Sequence, residues 1–445
     1  MWDLHRAYRP VVRDTTKFLE VSRNQRRRHQ EWRRLFDASP TGKKPPEAEA
    51  HTVIPDNVLP FTGGLFFQLL RRAGVQDGAL LRLRAAAILV LPLLAWLPLL
   101  ALTATDGKLL PGSVGTPFLL DLAAHIRLLV ALPLFLVAGR VAEARLLPTL
   151  QQFLTRSLVP EESMEKFNAA VASAFRLGDS IMADLFIIAV IYGLDTLVVW
   201  RTYHAVNAAT WQASPSVSGA TLTPAGIYHA YVSLPLFQFT LLRWYYRLFI
   251  WARFLAQVAG LGLKLVPTNP DRLGGLGFLL LGTQAFGVFA VAHGSLLAGW
   301  LATRVVIRGT PLTEFQGEIV ALVVFVLCIT LAPLLVFTRS LILTKRRGIL
   351  EYGTLAAQYA REFDVKWVHH ATDCPESEPL VGSSDIQSLA DMGGSYDLVQ
   401  SMRNVPLTPQ MILGFAAVTL VPVTPLLLTQ MPLSEILSKL VNILF

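Results

Sequence analysis

Charge is what this sequence has least of. Charged residues make up 16% of its 445 positions, where a soluble domain carries about 25%. Much of its surface therefore faces something other than water. Cysteine is nearly absent. Cys328 lies in an apolar block and Cys374 in a polar stretch, so neither a disulfide framework nor a Cys-based zinc site is available. Residues 1–80 are polar and Arg-rich with no early apolar run, and no cleavable signal peptide is expected. The largest loop, 345–406, has no Gly-rich phosphate loop, no strand alternation and no paired carboxylates at catalytic spacing. That argues against a soluble enzyme domain there. No nucleophile–base pair or metal-ligand spacing appears in the apolar blocks either, so no cofactor is expected. The net charge of +8 is unevenly spread, which speaks for membrane topology rather than nucleic acid as a partner.

What is present is long apolar blocks. Hydrophobic residues reach 53%, and they fall in runs of about 18 or more, the length of a membrane span. Three runs are free of charge: 85–103, 319–338 and 411–428. Four more carry polar residues: 119–139, 181–200, 225–265 and 277–303. The 225–265 stretch exceeds one crossing at about 1.5 Å per residue, so its first part is read as the span and the rest as an extension. The expectation is an all-α, polytopic helical bundle of seven spans.

Lysine and arginine orient it. With the N-terminus inside, 33 of them fall on the cytoplasmic side and 5 outside; without the N-terminal tail the ratio is 17 to 5. The positive-inside rule then places the C-terminus outside. The expected divisions are a basic cytoplasmic tail with an interfacial helix (1–84), a membrane domain holding spans one to six (85–344), a helical cytoplasmic segment (345–406), and a last span with an amphipathic C-terminal segment (407–445). Within the tail, 15–36 reads as an Arg-rich helix and 66–75 as an interfacial one. Such a tail is either solvated or laid on anionic headgroups.

In 345–406, Tyr352, Leu355, Ala356, Tyr359 and Phe363 share a helical face. Ser384 and Gln387 read as a capping box for a second helix. Gly393-Gly394 reads as its end, with Ser395 starting a third.

Ionisable groups within spans are costly and therefore informative. Asp121, His125, Arg127 and Asp195 fall at one depth and form a candidate outer cluster. Asp184 falls near Arg243 and Arg247, which either pair with it or snorkel to headgroups. His293 lies deeper, as a packing residue or a ligand. These eight residues make up the candidate ion or solute path. Ala290, Gly294, Ala298 and Ala302 repeat every fourth position, marking either an internal seam or a subunit interface, hence a homo-oligomer. The turn holding Asp271, Arg272, Gly274 and Gly275 reads either as a capping turn or as an anion or headgroup site.

Two strings, PTNPDRLGGLGFL (267–279) and DIQSLADMGGSYDLVQSMRNVP (385–406), resemble segments of an uncharacterised group of proteobacterial multi-pass inner-membrane proteins. The resemblance implies location in a bacterial inner membrane and carries no activity. From the residues themselves, the expected function is a channel or transporter for a small ion or solute. The alternative is a membrane-embedded sensor or scaffold that recruits a partner through its cytoplasmic helices.

Overall fold

A computed structural model of the protein describes residues 77–112, 114–203, 209–216, 219–307, 309–369 and 383–427. The tail helices expected at 15–36 and 66–75, and most of the C-terminal segment after the last span, lie outside these residues. So does the Asp195 side chain, although its backbone is helical.

The described chain is helical apart from one hairpin. Helix α1 is Asp77–Thr105, α2 Leu122–Thr155, α3 Glu161–Gly178 and α4 Ile181–Tyr203. Strands β1 (Ala213–Ser216) and β2 (Gly219–Leu222) pair antiparallel, Ala213 opposite Leu222. Helix α5 covers 224–259, α6 is Phe278–Ile307, α7 Leu312–His369, α8 Ser384–Ser401 and α9 Pro409–Leu427. Five of these, α1, α2, α6, α7 and α9, contain stretches long and apolar enough to cross a membrane. The α3–α4 pair, bent by 44°, makes a sixth if taken as one span. Helix α5 does not pass on length and composition. Helices suit this role because each satisfies its own backbone polar groups.

Helix α6 is the centre. A Cβ on Gly294 would land inside the backbone carbonyl of Thr419, so α9 lies directly against it. Ala298, Leu301 and Ala302 continue that contact onto Val423 and Leu426. The small-residue repeat is thus a seam within the chain, and it no longer argues for a subunit interface. On another face Gly299 packs on Ile126 of α2.

The connections lie at two ends. At one, which we call the hairpin end, β1–β2 covers the start of α2 and α5. Gly226 is needed there, since a Cβ would meet the carbonyl of Gln212. At the opposite end α7 runs on far past the bundle. Its 58 residues make a rod of about 87 Å, interrupted by a 3₁₀ stretch at Ala332–Phe337 that begins beside Pro333.

Helix α8 folds back on α7, and here two expectations need correcting. Ser383, not Ser384, is the N-cap, and it makes no side-chain capping bond. Gly393-Gly394 does not end the helix, which runs unbroken to Ser401. A helical glycine costs about 1 kcal/mol relative to alanine, and packing on α7 offsets it: Tyr396 lies over Gly353 and Val399 is fully buried. The predicted α7 face largely holds, with Tyr352, Ala356, Tyr359 and Phe363 half-buried, but Leu355 is exposed.

Asp385 ties the far end of this pair. Its Oδ2 accepts from Lys366 Nζ at 2.7 Å and from Trp367 Nε1 at 3.0 Å. These donors hold the carboxyl below its usual value of 3.8, the Lys366 bond contributing most. A depressed carboxylate stabilises the fold above its unfolded pKa, and that contribution is lost as pH falls through the folded value. Below about pH 3.8, hydrogen exchange in 359–369 and 384–390 is therefore expected to speed up while the bundle stays protected. D385N should reproduce the acid effect at pH 7; unchanged exchange in that variant would refute the tie.

Candidate functional site

Polar side chains within the helices gather in three places. The first is the bend between α3 and α4. Breaking a helix leaves its last carbonyls without partners, and α5 supplies the donors. Arg243 Nη2 donates to Gly178 O at 2.5 Å, and Tyr246 Oη donates to Leu177 O at 3.0 Å. Arg243 Nη1 also pairs with Asp184 Oδ1 at 2.5 Å. Asp184 is wholly buried and Arg243 is 6% exposed. Arg243 therefore does not snorkel. Depth on separate helices was enough to foresee this pair; the carbonyl contact required the bend, which the sequence marks only by Gly178-Asp179-Ser180. Arg247 turns to another face, stacking over Trp244 at 5.5 Å beside Gly139.

The second place is His293, at the middle of α6. Its Nδ1 donates to Phe289 O at 3.0 Å, which leaves Nε2 to accept from Tyr245 Oη at 2.9 Å. Phe135 and Phe289 press on the ring at 5.2 and 4.3 Å. Both nitrogens are used, so His293 acts as a packing residue here.

The third place is the hairpin end. Asp121 is the N-cap of α2, accepting from Ala124 N with Oδ1 and from Trp211 Nε1 with Oδ2, both at 3.0 Å. The expected cluster of Asp121, His125, Arg127 and Asp195 is thus rearranged in its three described side chains, Asp195 lying outside them. Asp121 and His125 do not bond to each other through their side chains, because the cap takes Asp121 out of the helix. His125 instead sits among aromatic rings, 4.8 Å from Phe118 and 6.0 Å from Trp96. Trp96 Nε1 donates to His125 Nδ1 at 2.9 Å. The neutral ring then carries its proton on Nε2, and that buried atom has no partner among the described residues.

Sequence reading missed the other half of this site. His229 on α5 is 5% exposed and packs on Trp211 at 5.3 Å, and its Nδ1 is also buried with no partner among the described residues. Asp121 and Arg127 are near enough to act on its charge. Trp211 is fixed by Thr223, which accepts from Gly226 N at 2.9 Å to cap α5 and donates to Trp211 O at 2.8 Å. The Arg127 side chain makes no hydrogen bond or ion pair among the described residues; its guanidinium lies 5.9 Å from the Phe237 ring centre. Arg127 and His229 each open a π-helical turn, Arg127–Ala131 and His229–Ser233. Such turns are rare and recur at functional sites. A Trp-x-x-x-His signal does not exist for this arrangement: four separate segments supply it.

No group of three metal-ligating side chains occurs among the described residues. The Asp271 turn is closed as well. Asp271 Oδ1 accepts from Leu273 N and Gly275 N at 2.8 and 3.1 Å, and Oδ2 from Gly277 N at 2.8 Å. These are the amides an anion would need. Arg272 and Gly275 sit at φ 56° and 103° to form the turn. Arg272 O then accepts from Arg403 N at 2.8 Å, and Gly274 packs on Met402. The strings 267–279 and 385–406, distant in sequence, are therefore joined in space.

Removing the Asp184 carboxylate alone leaves Arg243 buried without its counter-charge. D184L is expected to lose about 3–5 kcal/mol of stability, read as a lower melting temperature in detergent. D184L/R243M should recover part of this, not all, because Gly178 O remains without its donor. Equal or larger loss in the double variant would contradict the pairing. Comparison of the chain with models of known families, with curated proteins and with solved structures returns no match.

Proposed function

We propose that this protein is a channel or transporter for a small ion or solute in a bacterial inner membrane. It has seven spans, with the 224–259 helix as the seventh, the N-terminus inside and the hairpin end outside. The observation that carries the reading is the pair of imidazoles at the hairpin end, half-buried His125 and buried His229, each with a buried ring nitrogen lacking a partner among the described residues. Buried polar atoms are almost always satisfied. An aromatic enclosure that leaves two of them open, beside Arg127, suits a transient guest. His125 Nε2–H and the Arg127 guanidinium are donors, whereas the Asp121 oxygens are already engaged. The site therefore favours an acceptor, such as a small anion or a carbonyl-bearing solute, over a metal cation.

A second reading rests on the α7–α8 pair. Leu350, Leu355, Val365, Val368 and Ile386 are exposed on it, Leu350 by 71%. Large apolar groups on a polar hairpin beyond the bundle suit a protein partner, and this favours a sensor or scaffold.

Flux separates the two. Protein in liposomes is expected to pass small monovalent anions under a gradient. H125N/H229Q should cut that flux at least about tenfold, the loss of about 1.4 kcal/mol or more of binding or barrier, with little change in melting temperature, since the amide oxygen that H125N introduces still accepts from Trp96 Nε1. No flux under any gradient would transfer the proposal to the scaffold reading. Topology is checked independently. A reporter after Phe445 should read extracytoplasmic and one at Glu376 cytoplasmic; the same side for both would overturn the last span.

A further inference from the structure

A groove opens on the side of the bundle between α2, the start of α6 and the start of α9, far from the imidazole site. Its volume is about 550 Å³, within the roughly 300–1,000 Å³ typical of ligand sites. The groove is zoned along its length. One end is polar, with Arg145, Gln284, Thr408 and Gln410. The other is apolar, with Phe415 and Val418, while Leu280 and Leu281 lie toward the polar end.

The polar end carries one positive charge. Arg145 Nη1 donates to Gln284 Oε1 at 3.0 Å, and no carboxylate pairs with it among the described residues. Gln284 is neutral and leaves that charge uncompensated. The apolar end is widened by Gly287 and Gly414, both groove-lining. A Cβ on either would meet nothing within 4 Å. Gly294, on the same helix as Gly287, is demanded by Thr419, but Gly287 and Gly414 answer to no close approach among the described residues. Each weakens its helix relative to alanine, and together they keep the groove deep. Gln410 to Val418 spans about 12 Å along α9, close to the roughly 15 Å depth of one leaflet's hydrocarbon.

We infer that this groove holds one anionic glycerophospholipid, its phosphate at Arg145 and an acyl chain lying over Gly287 and Gly414. Charge and zoning select it. A soluble anion would leave the apolar end empty, and a zwitterionic lipid would bring its own cation to Arg145. A peptide helix needs a wider channel than two missing methyl groups provide. The inference rests on the chain being a membrane protein and not on transport, so flux experiments leave it standing or falling on its own test.

The test is lipid-dependent melting of the delipidated full chain in detergent. Phosphatidylglycerol is expected to raise the melting temperature saturably, and phosphatidylcholine to do so far less. R145Q should weaken the apparent affinity for phosphatidylglycerol about fivefold or more, the weight of one cation–headgroup contact. G414L should abolish the saturable effect by filling the groove; should G414L fail to fold, G414A with G287A is the milder form and should weaken it. Water-soluble glycerol phosphate should not reproduce the shift. Equal stabilisation by both lipids, insensitive to these substitutions, would reduce the groove to bulk lipid contact and overturn the inference. A full effect from glycerol phosphate would equally overturn it, since the apolar end would then have no part.

Discussion

The bundle turns on one guanidinium. Arg243 stands where the chain bends between α3 and α4, and the bend frees the Gly178 carbonyl from its helix. One arm of the side chain serves Gly178, and the other neutralises Asp184 in the first turn of the next helix. Without the bend the two helices would be one rod of different direction; without Arg243 the bend would leave a buried charge and an unsatisfied carbonyl together. A charge pair in such a place is costly to assemble and costlier to break. It fixes the relative placement of α3, α4 and α5, and through α5 the position of Tyr245, His229 and the hairpin packed above them.

The sequence shows the apolar helices clearly because their cause is local. Runs of residues such as 85–103 and 411–428 admit no alternative to a helix in hydrocarbon. Depth also reads through, since 1.5 Å per residue places Asp184 opposite Arg243 before any packing is known. What did not read through depends on partners. Gly393-Gly394 looks like a stop, yet α7 holds the helix together across it. Asp121 and His125 look like an i, i+4 pair, yet the cap turns the carboxylate away toward Trp211, which is 90 residues distant. His229 was visible only as one more polar residue in a span. Its importance comes from Trp211, and nothing in a linear chain announces that a loop tryptophan will fold over a helix start.

The same contrast governs the two recognisable strings. Each reads alone as a turn or a cap. Their content appears only when Arg403 donates to Arg272 and Lys345 donates to Met402 O at 2.7 Å, with Pro267 pressed against Gly348 so closely that a Cβ there would fall 2.6 Å from it. Residues from α7, from the loop before α6 and from the loop after α8 share a joint at the end of the bundle opposite the imidazoles. Constraint on such residues is mutual, so a change in one string is felt by the other.

Helix α7 has a mechanical consequence. From Thr338 to His369 it extends about 48 Å beyond the 3₁₀ stretch, stiffened by α8 alongside it. A tilt of about ten degrees at that stretch would sweep the tip by about 8 Å, by the rise of 1.5 Å per residue alone. The lever works in both directions: a force at the tip reaches the fulcrum as a torque that grows with the length of the arm. The fulcrum includes Leu334 and Phe337, which are buried against the core. The length of one helix thus makes the interior of the bundle answerable to whatever touches its farthest end.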